Sequence, residues 1–439
     1  MFKETSKELL DFLSKSPTAF HAVENYRQIL NADGFKELLE SEHWDIVPGG
    51  KYYVTRNNTS ILAFKVGTKL DNYSFNIVTS HTDSPTFKVK ENAEIEVKNK
   101  YIQLNTEGYG GMLCATWLDR PLSIAGRVLV SEGNSIVTKL LNIDRDLLMI
   151  PNVAIHMNRA ANDGFKYNLQ VDMLPLLSAG DDRQKDFKQI IADELGVKKE
   201  DILGHDLYLY NRMAPSIWGA NEEFISSGHL DDLQCGFASL KALLAGYNDE
   251  SIDIMACFDN EEVGSGTKQG ADSTLLRDTL TRINNALGKT EEDYHRALAS
   301  SFMLSADNAH AVHPNHPEHT DVTNCTYMNE GVVVKSHAGQ KYTSDGVSMA
   351  VVKSLASGAD VPLQYFANRS DKAGGSTLGN IAMAQASMNA VDIGLPQLAM
   401  HSSYETAGIK DTYYAIALMK ALFDSHIQET STHSLEIKR

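Results

Sequence analysis

From Asp231 onward the chain alternates between helical and apolar strand-like runs, and this alternation restricts the fold more than any other feature. Residues 233–246 and 346–357 carry helical spacing, while 252–258 and 302–306 read as buried strands. Strands that alternate with helices return to one sheet through crossovers, which favours parallel pairing. The N-terminal end carries the same mixture. Helices are expected over 3–14 and from an N-cap at Ser16 with Pro17 in the first turn to about Leu30, followed by strands at 51–55, 60–66 and 74–79. Between them, residues 86–224 are mostly strand-like and turn-punctuated, with runs at 87–90, 93–97, 102–103, 124–131 and 153–156 and one helical island at 185–194. The expected organisation is a discontinuous α/β domain made of residues 1–85 and 225–439, carrying an inserted β-rich domain at 86–224.

Charge and cysteine usage narrow the function. Lys+Arg 40 against Asp+Glu 57 gives a formal charge of −17, which repels nucleic-acid phosphates and anionic lipid. No uncharged apolar stretch approaches the roughly 18 residues that would span a bilayer. Neither nucleic acid nor a membrane is expected as a partner. The four cysteines, Cys114, Cys235, Cys257 and Cys325, are too widely spaced for a structural zinc cluster, so a reduced, cytoplasmic protein is the simpler expectation.

Five short segments place acids or histidines at the end of an expected strand, where open α/β sheets build their sites. They are His81-Thr82-Asp83, His229-Leu230-Asp231-Asp232, Asp259-Asn260-Glu261-Glu262, Asp307-Asn308-Ala309-His310 and Met400-His401-Ser402. Singly, each is more often a cap or a solvated turn. Together, two histidines and three carboxylates make a ligand set suited to zinc, cobalt or manganese. If one carboxylate bridges, two metals each receive three protein ligands and keep an open position. The adjacent Glu261 and Glu262 then divide metal ligation from proton transfer, since water activated by a metal still needs a base.

These segments, with Ser16-Pro17-Thr18-Ala19-Phe20-His21, Thr116-Trp117-Leu118-Asp119-Arg120, Gly374-Gly375-Ser376-Thr377 and Pro396-Gln397-Leu398-Ala399-Met400-His401-Ser402, resemble the aspartyl aminopeptidase family, metallopeptidase family 18, over essentially the whole chain. The resemblance implies a zinc-exopeptidase-like α/β/α sandwich with an inserted lid and dimerisation domain. It implies two zinc ions per chain, with cobalt or manganese as substitutes: His81 and Asp307 on one, Glu262 and His401 on the other, and Asp231 bridging. Glu261 becomes the general base and Asp83 the carboxylate that orients His81. The family commonly has Arg-Leu-Asp-Asn where this chain has His229-Leu230-Asp231-Asp232, so Asp232 is also chemically able to bridge.

The resemblance gives further residues a role. His310, His313, His316 and His319 recur every third residue, but Pro314 and Pro317 break any helix that would align them, and a structured loop is expected with His313 alone near the substrate carbonyl. His156, by default a strand histidine, is similar to one that reaches a neighbouring subunit's active site. Lys335, by default an edge-strand lysine, matches one near the specificity pocket and could select an acidic side chain. Thr377 and the preceding glycine turn could bind substrate through backbone donors. The implied activity is release of single N-terminal residues, Asp or Glu foremost, from peptides. The implied assembly is a homo-oligomer of dimers joined into a tetrahedral dodecamer. Two other readings are a dinuclear N-acyl amino-acid hydrolase and a catalytically silent assembly protein on the same fold.

Overall fold

The structure is a computed structural model that describes residues 1–180 and 185–439. Its largest sheet has nine strands. Four of them, Ser251–Phe258, Ser74–His81, Phe302–Ala306 and Asn389–Gly394, lie side by side in parallel at its centre. Both faces of these strands are buried, which accounts for their near-continuous apolar sequence. Alternate residues serve opposite faces: Val78, Cys257, Leu304 and Val391 join one core cluster, and Ile77, Phe258, Met303 and Ala390 the other. Helices Phe2–Ser14, Ala19–Ala32, Leu230–Ala245, Gly346–Gly358 and Asp411–Phe423 cover the first face. Leu275–Ala286, Glu291–Ala299 and Leu378–Gln385 cover the second. The result is the expected α/β/α sandwich.

The four central strands are flanked on each side by an antiparallel pairing. Ser60–Val66 runs antiparallel to Ser251–Phe258, and Val332–Lys335 antiparallel to Asn389–Gly394. A six-stranded antiparallel sheet takes its strands from Thr86–Val97, Tyr101–Tyr109, Leu122–Glu132, Ser135–Asn142, Leu176–Ala179 and Ile202–Asn211, and has a core of its own around Trp117, Leu141 and Leu207. A third, five-stranded sheet stitches Ser216–Trp218 to Phe224–Ser227, Glu405–Gly408, Pro396–Leu398 and Ala309–His310.

Three local expectations are corrected. Residues 153–156 form no strand; Ile155 and His156 lie in a turn, and Ile150 makes only an isolated bridge to Leu118. Ser16 does not cap the second helix. Its hydroxyl donates back to the Phe12 carbonyl at 2.7 Å, closing the first helix, and Thr18 holds the N-cap position of the second. Lys335 is no edge residue, because Leu363–Phe366 pairs beyond its strand and leaves it buried.

Candidate metal centre

Register across the parallel strands begins the site. Phe258 pairs with His81 and Ser305 with Thr79, so the chain leaving each neighbouring strand emerges beside His81. The turn after Phe258 carries Glu261 and Glu262, and the residue after Ala306 is Asp307. Asp231 begins the helix Leu230–Ala245 with non-helical backbone angles, and His401 lies in the loop between Pro396–Leu398 and Glu405–Gly408.

Asp231 is buried and turns one oxygen to each histidine. Its Oδ1 lies 3.4 Å from His81 Nε2 and its Oδ2 3.7 Å from His401 Nε2. Glu262 Oε2 stands 3.4 Å from that same His401 nitrogen. Two groups result, His81 with Asp231 and Asp307, and Asp231 with Glu262 and His401, each with its donor atoms within 4.8 Å of one another. A further triplet, His81 with Glu261 and Glu262, sets Glu261 against both. Asp232 is placed differently. Its Oδ2 accepts the backbone N–H of His81 at 3.1 Å, and it belongs to neither group.

The donor set fits divalent cations. Asp231 Oδ1 and Glu262 Oε1 are buried without a hydrogen-bond partner, an arrangement that costs several kcal/mol per ion unless a counter-charge is present (about that order for real proteins). Burial pushes the carboxyls of Glu262 and Asp307 above their ordinary range, and Asp231 beside them adds to the effect. Glu261, pressed first by burial and then by Asp307 and Asp83, is pushed up to about 8, with His81 opposing. A bound dication inverts this logic by favouring the ionised forms.

Asp83 lies against both His81 and the Glu261-Glu262 turn. His81 Nδ1 meets the Asp83 backbone carbonyl at 3.0 Å, while the carboxylate stands 3.5 Å away. The carboxylate accepts the backbone N–H groups of Glu261 and Glu262, both at 3.1 Å, and the Tyr109 hydroxyl at 2.6 Å. It therefore fixes the Glu-Glu turn. Glu405 does the same for the other ligands, accepting the N–H of Asp231 at 3.0 Å and of His401 at 2.8 Å. Gly111 presents its carbonyl to His401 Nδ1 at 2.8 Å, which orients the ring and leaves Nε2 facing the carboxylates. Tyr109, Gly111 and Glu405 are site residues that sequence reasoning missed. The Tyr109-Gly110-Gly111 strand end was the only available signal for two of them.

Of the remaining expected residues, Lys335 alone borders the cluster. Lys335 is buried with its ammonium donating to the Asn308 carbonyl at 2.7 Å and lying 3.9 Å from Asp307 Oδ1. Burial opposes its charge, but Asp307, Tyr342, Asp392 and Asp231 together outweigh this and hold the amine above its ordinary value. The Thr377 hydroxyl is spent on Asp392 at 2.5 Å. His313 is exposed and helps line a cavity of about 250 Å³ with Ala399 and Met400, next to His401 in sequence. His156 is exposed in its turn.

The chain is similar to known proteins over nearly its whole length. The sequence model of the family described as "Aminopeptidase I zinc metalloprotease (M18)" matches residues 12–423. A "Probable M18 family aminopeptidase 2" of Clostridium novyi (strain NT) is 48% identical over 425 residues, covering 95% of this chain and 98% of the relative. Another protein of that description, from Stutzerimonas stutzeri, is 39% identical over 431 residues, covering 97% and 99%. Among solved structures, one described as the Ape4 and Nbr1 complex superposes with a TM-score of 0.93 at 35% identity, over 96% of this chain and 86% of that one. The S. cerevisiae mApe1 dodecamer superposes at 0.84 with 28% identity, over 96% and 97%.

Gly110 tests the support given to the ligands. It has φ +72°, and a Cβ there would lie 3.1 Å from Glu262 Cβ. Gly110→Ala is expected to leave the chain folded and to weaken metal retention by about 10–100-fold, the usual size of a defect in ligand orientation. Competition against a graded chelator measures it, and unchanged retention would remove this strand end from the site.

Proposed function

Because the chain belongs to the M18 family of zinc metalloprotease aminopeptidases, we propose that it releases single N-terminal residues from peptides through a pair of zinc ions held by five of its side chains. The observation that carries this reading is the position of Asp231, with one oxygen toward His81 and the other toward His401. His81 and Asp307 would hold one ion, Glu262 and His401 the other, and Asp231 both; cobalt or manganese suits the same donors. Zinc bound there supplies Lewis-acid polarisation of the scissile carbonyl and brings the pKa of water towards neutrality.

The protein's own groups handle the proton. Glu261 stands among His81 and Glu262 without belonging to either three-residue group that contains Asp231, so its carboxylate is free to accept a proton from water and return it to the departing amine. Asp83 and Tyr109 keep that carboxylate aimed by fixing its backbone turn. A complete donor set together with a free carboxylate favours an enzyme over a silent assembly protein.

Selection of an acidic first residue rests on Lys335, whose buried ammonium is shared with Asn308 and Asp307. His313 and Thr377 complete the substrate contacts of this reading, His313 from the cavity wall and Thr377 through its backbone. The assembly is read as a homo-oligomer in which residues 86–224 act as lid and dimer contact on a catalytic domain of 1–85 and 225–439. Support comes from exposed apolar side chains that fall close together in that segment, Val153, Ile155, Met157, Phe165 and Val171. Dimers gathered into a tetrahedral dodecamer would follow the S. cerevisiae relative described as a dodecamer. Among the described residues no helix is long and apolar enough to cross a membrane, and a cytoplasmic location is part of the same reading.

A panel of aminoacyl substrates, free and N-acetylated, tests the reaction and its preference together. Hydrolysis of free-amine substrates, fastest for Asp and Glu, is expected. Turnover of only the acetylated set would replace the aminopeptidase reading by an N-acyl hydrolase, and Leu or Met derivatives cleaved faster than Asp and Glu would remove the role of Lys335. Glu261→Gln should keep its metal and lose about 10²–10⁴-fold in turnover. Mixed with an inactive His156→Ala chain, it should regain activity in hybrid oligomers; no recovery in demonstrably mixed assemblies would confine His156 to its own subunit.

A further inference from the structure

The histidine tract after Asp307 is not used up by the reaction. His313, His316 and His319 stack their rings as a ladder, with successive centroids 5.4 Å apart and planes tilted by 35° and 36°. Pro314 and Pro317 produce this arrangement by preventing a helix, and the short 3-10 turn Pro317–His319 takes its place. Glu318, inside that turn, presents Oε1 at 3.1 Å from His316 Nδ1 and 3.8 Å from His319 Nε2. The donor atoms of the three side chains lie within 4.8 Å of one another.

The backbone beneath them is already fixed. His316 N–H donates to the His313 carbonyl at 3.0 Å, His319 N–H to the His316 carbonyl at 3.2 Å, and the Thr320 hydroxyl to the Pro317 carbonyl at 2.8 Å. The Arg369 guanidinium donates to the Glu318 carbonyl while it forks onto Asp371. A ligand binding here would not have to order the turn first, which is the main cost of binding to a loop.

Two imidazoles and a carboxylate are the donor set that zinc and other borderline dications take, with a further position left to water. All three side chains are more than half exposed, so the site is open to exchange with solvent metal and weaker than a buried one. It shares no residue with the cluster around Asp231. Its surroundings nevertheless lead there, since His319 and His313 line the cavity of about 250 Å³ whose lining also includes Gln397, Ala399 and Met400, in the chain that runs into His401.

We propose that His316, Glu318 and His319 form an additional surface site for a borderline dication, zinc foremost, and that its occupation stiffens the wall of the cavity beside His401. The ion joins two residues of the turn to His319, which faces the cavity, so binding limits how far that wall yields to a substrate. Its effect therefore falls on KM.

Equilibrium dialysis of the metal-loaded protein against rising ZnCl2, with zinc counted by mass spectrometry, tests the site. The native chain should take up one more zinc than His316→Gln or Glu318→Gln. The difference is the readout, because loss of the pair at Asp231 would lower the total in all three proteins and leave the difference standing. Both substitutions are at exposed positions, and neither residue has a part in the reaction. Equal uptake at every zinc concentration would overturn the site. KM for a fast substrate should change as zinc fills the extra site in the native chain and stay constant in His316→Gln; a KM that moves equally in both, or in neither, would overturn the coupling to the cavity.

Discussion

Asp231 is buried with one carboxylate oxygen facing each of two histidines, and much of the surrounding architecture keeps it there. Glu405 takes its backbone N–H, and the same carboxylate takes that of His401, so one buried acid sets the spacing of Asp231 and His401. Asp232, next in the chain, holds the backbone of His81. These acids repel one another as long as they are ionised without a counter-charge. Desolvation and mutual repulsion drive Glu262 and Asp307 toward their protonated forms, a tendency that a bound counter-charge would oppose.

The inserted sheet contributes to this centre. Tyr109, at the end of the strand Tyr101–Tyr109, reaches Asp83 and also accepts from the Asn260 side chain at 2.8 Å. Two residues later the Gly111 carbonyl holds the His401 ring, and Leu113 N–H reaches the His401 carbonyl at 3.0 Å. Ser403 is tied to Thr116 through both its N–H and its hydroxyl. The inserted chain thus clamps the loop that carries His401 on both sides and braces the turn that carries Glu261 and Glu262. Displacing this strand end would disturb proton transfer and ligand geometry together.

Much of this was legible in the sequence. Residues 60–66 and 302–306 form strands with the expected bounds, since both are largely apolar runs that both faces of the sheet bury. The acids and histidines at strand ends were visible for the same reason: parallel strands end together, and the turn after each is where polar residues resume. What escaped was set by contacts across the fold. Residues 153–156 looked like a strand, but among the described residues they pair with no neighbour, and Val153 and Ile155 are exposed in the single chain. Lys335 looked like an edge lysine until Leu363–Phe366 closed over it. Glu405 and Gly111 act through hydrogen bonds to Asp231 and His401, and neither residue type announces such bonds. The choice between Asp231 and Asp232 likewise needed coordinates, because both carboxylates are adjacent, buried and chemically equivalent until their oxygens are seen to face different partners.

The central claim is that Asp231 is shared between two ions. Anomalous diffraction at the zinc edge from crystals of the native protein measures this directly. The account predicts two peaks, one among His81, Asp231 and Asp307 and the other among Asp231, Glu262 and His401, with Asp231 touching both. A single peak in fully active protein, or two peaks bridged by Asp232, would contradict it.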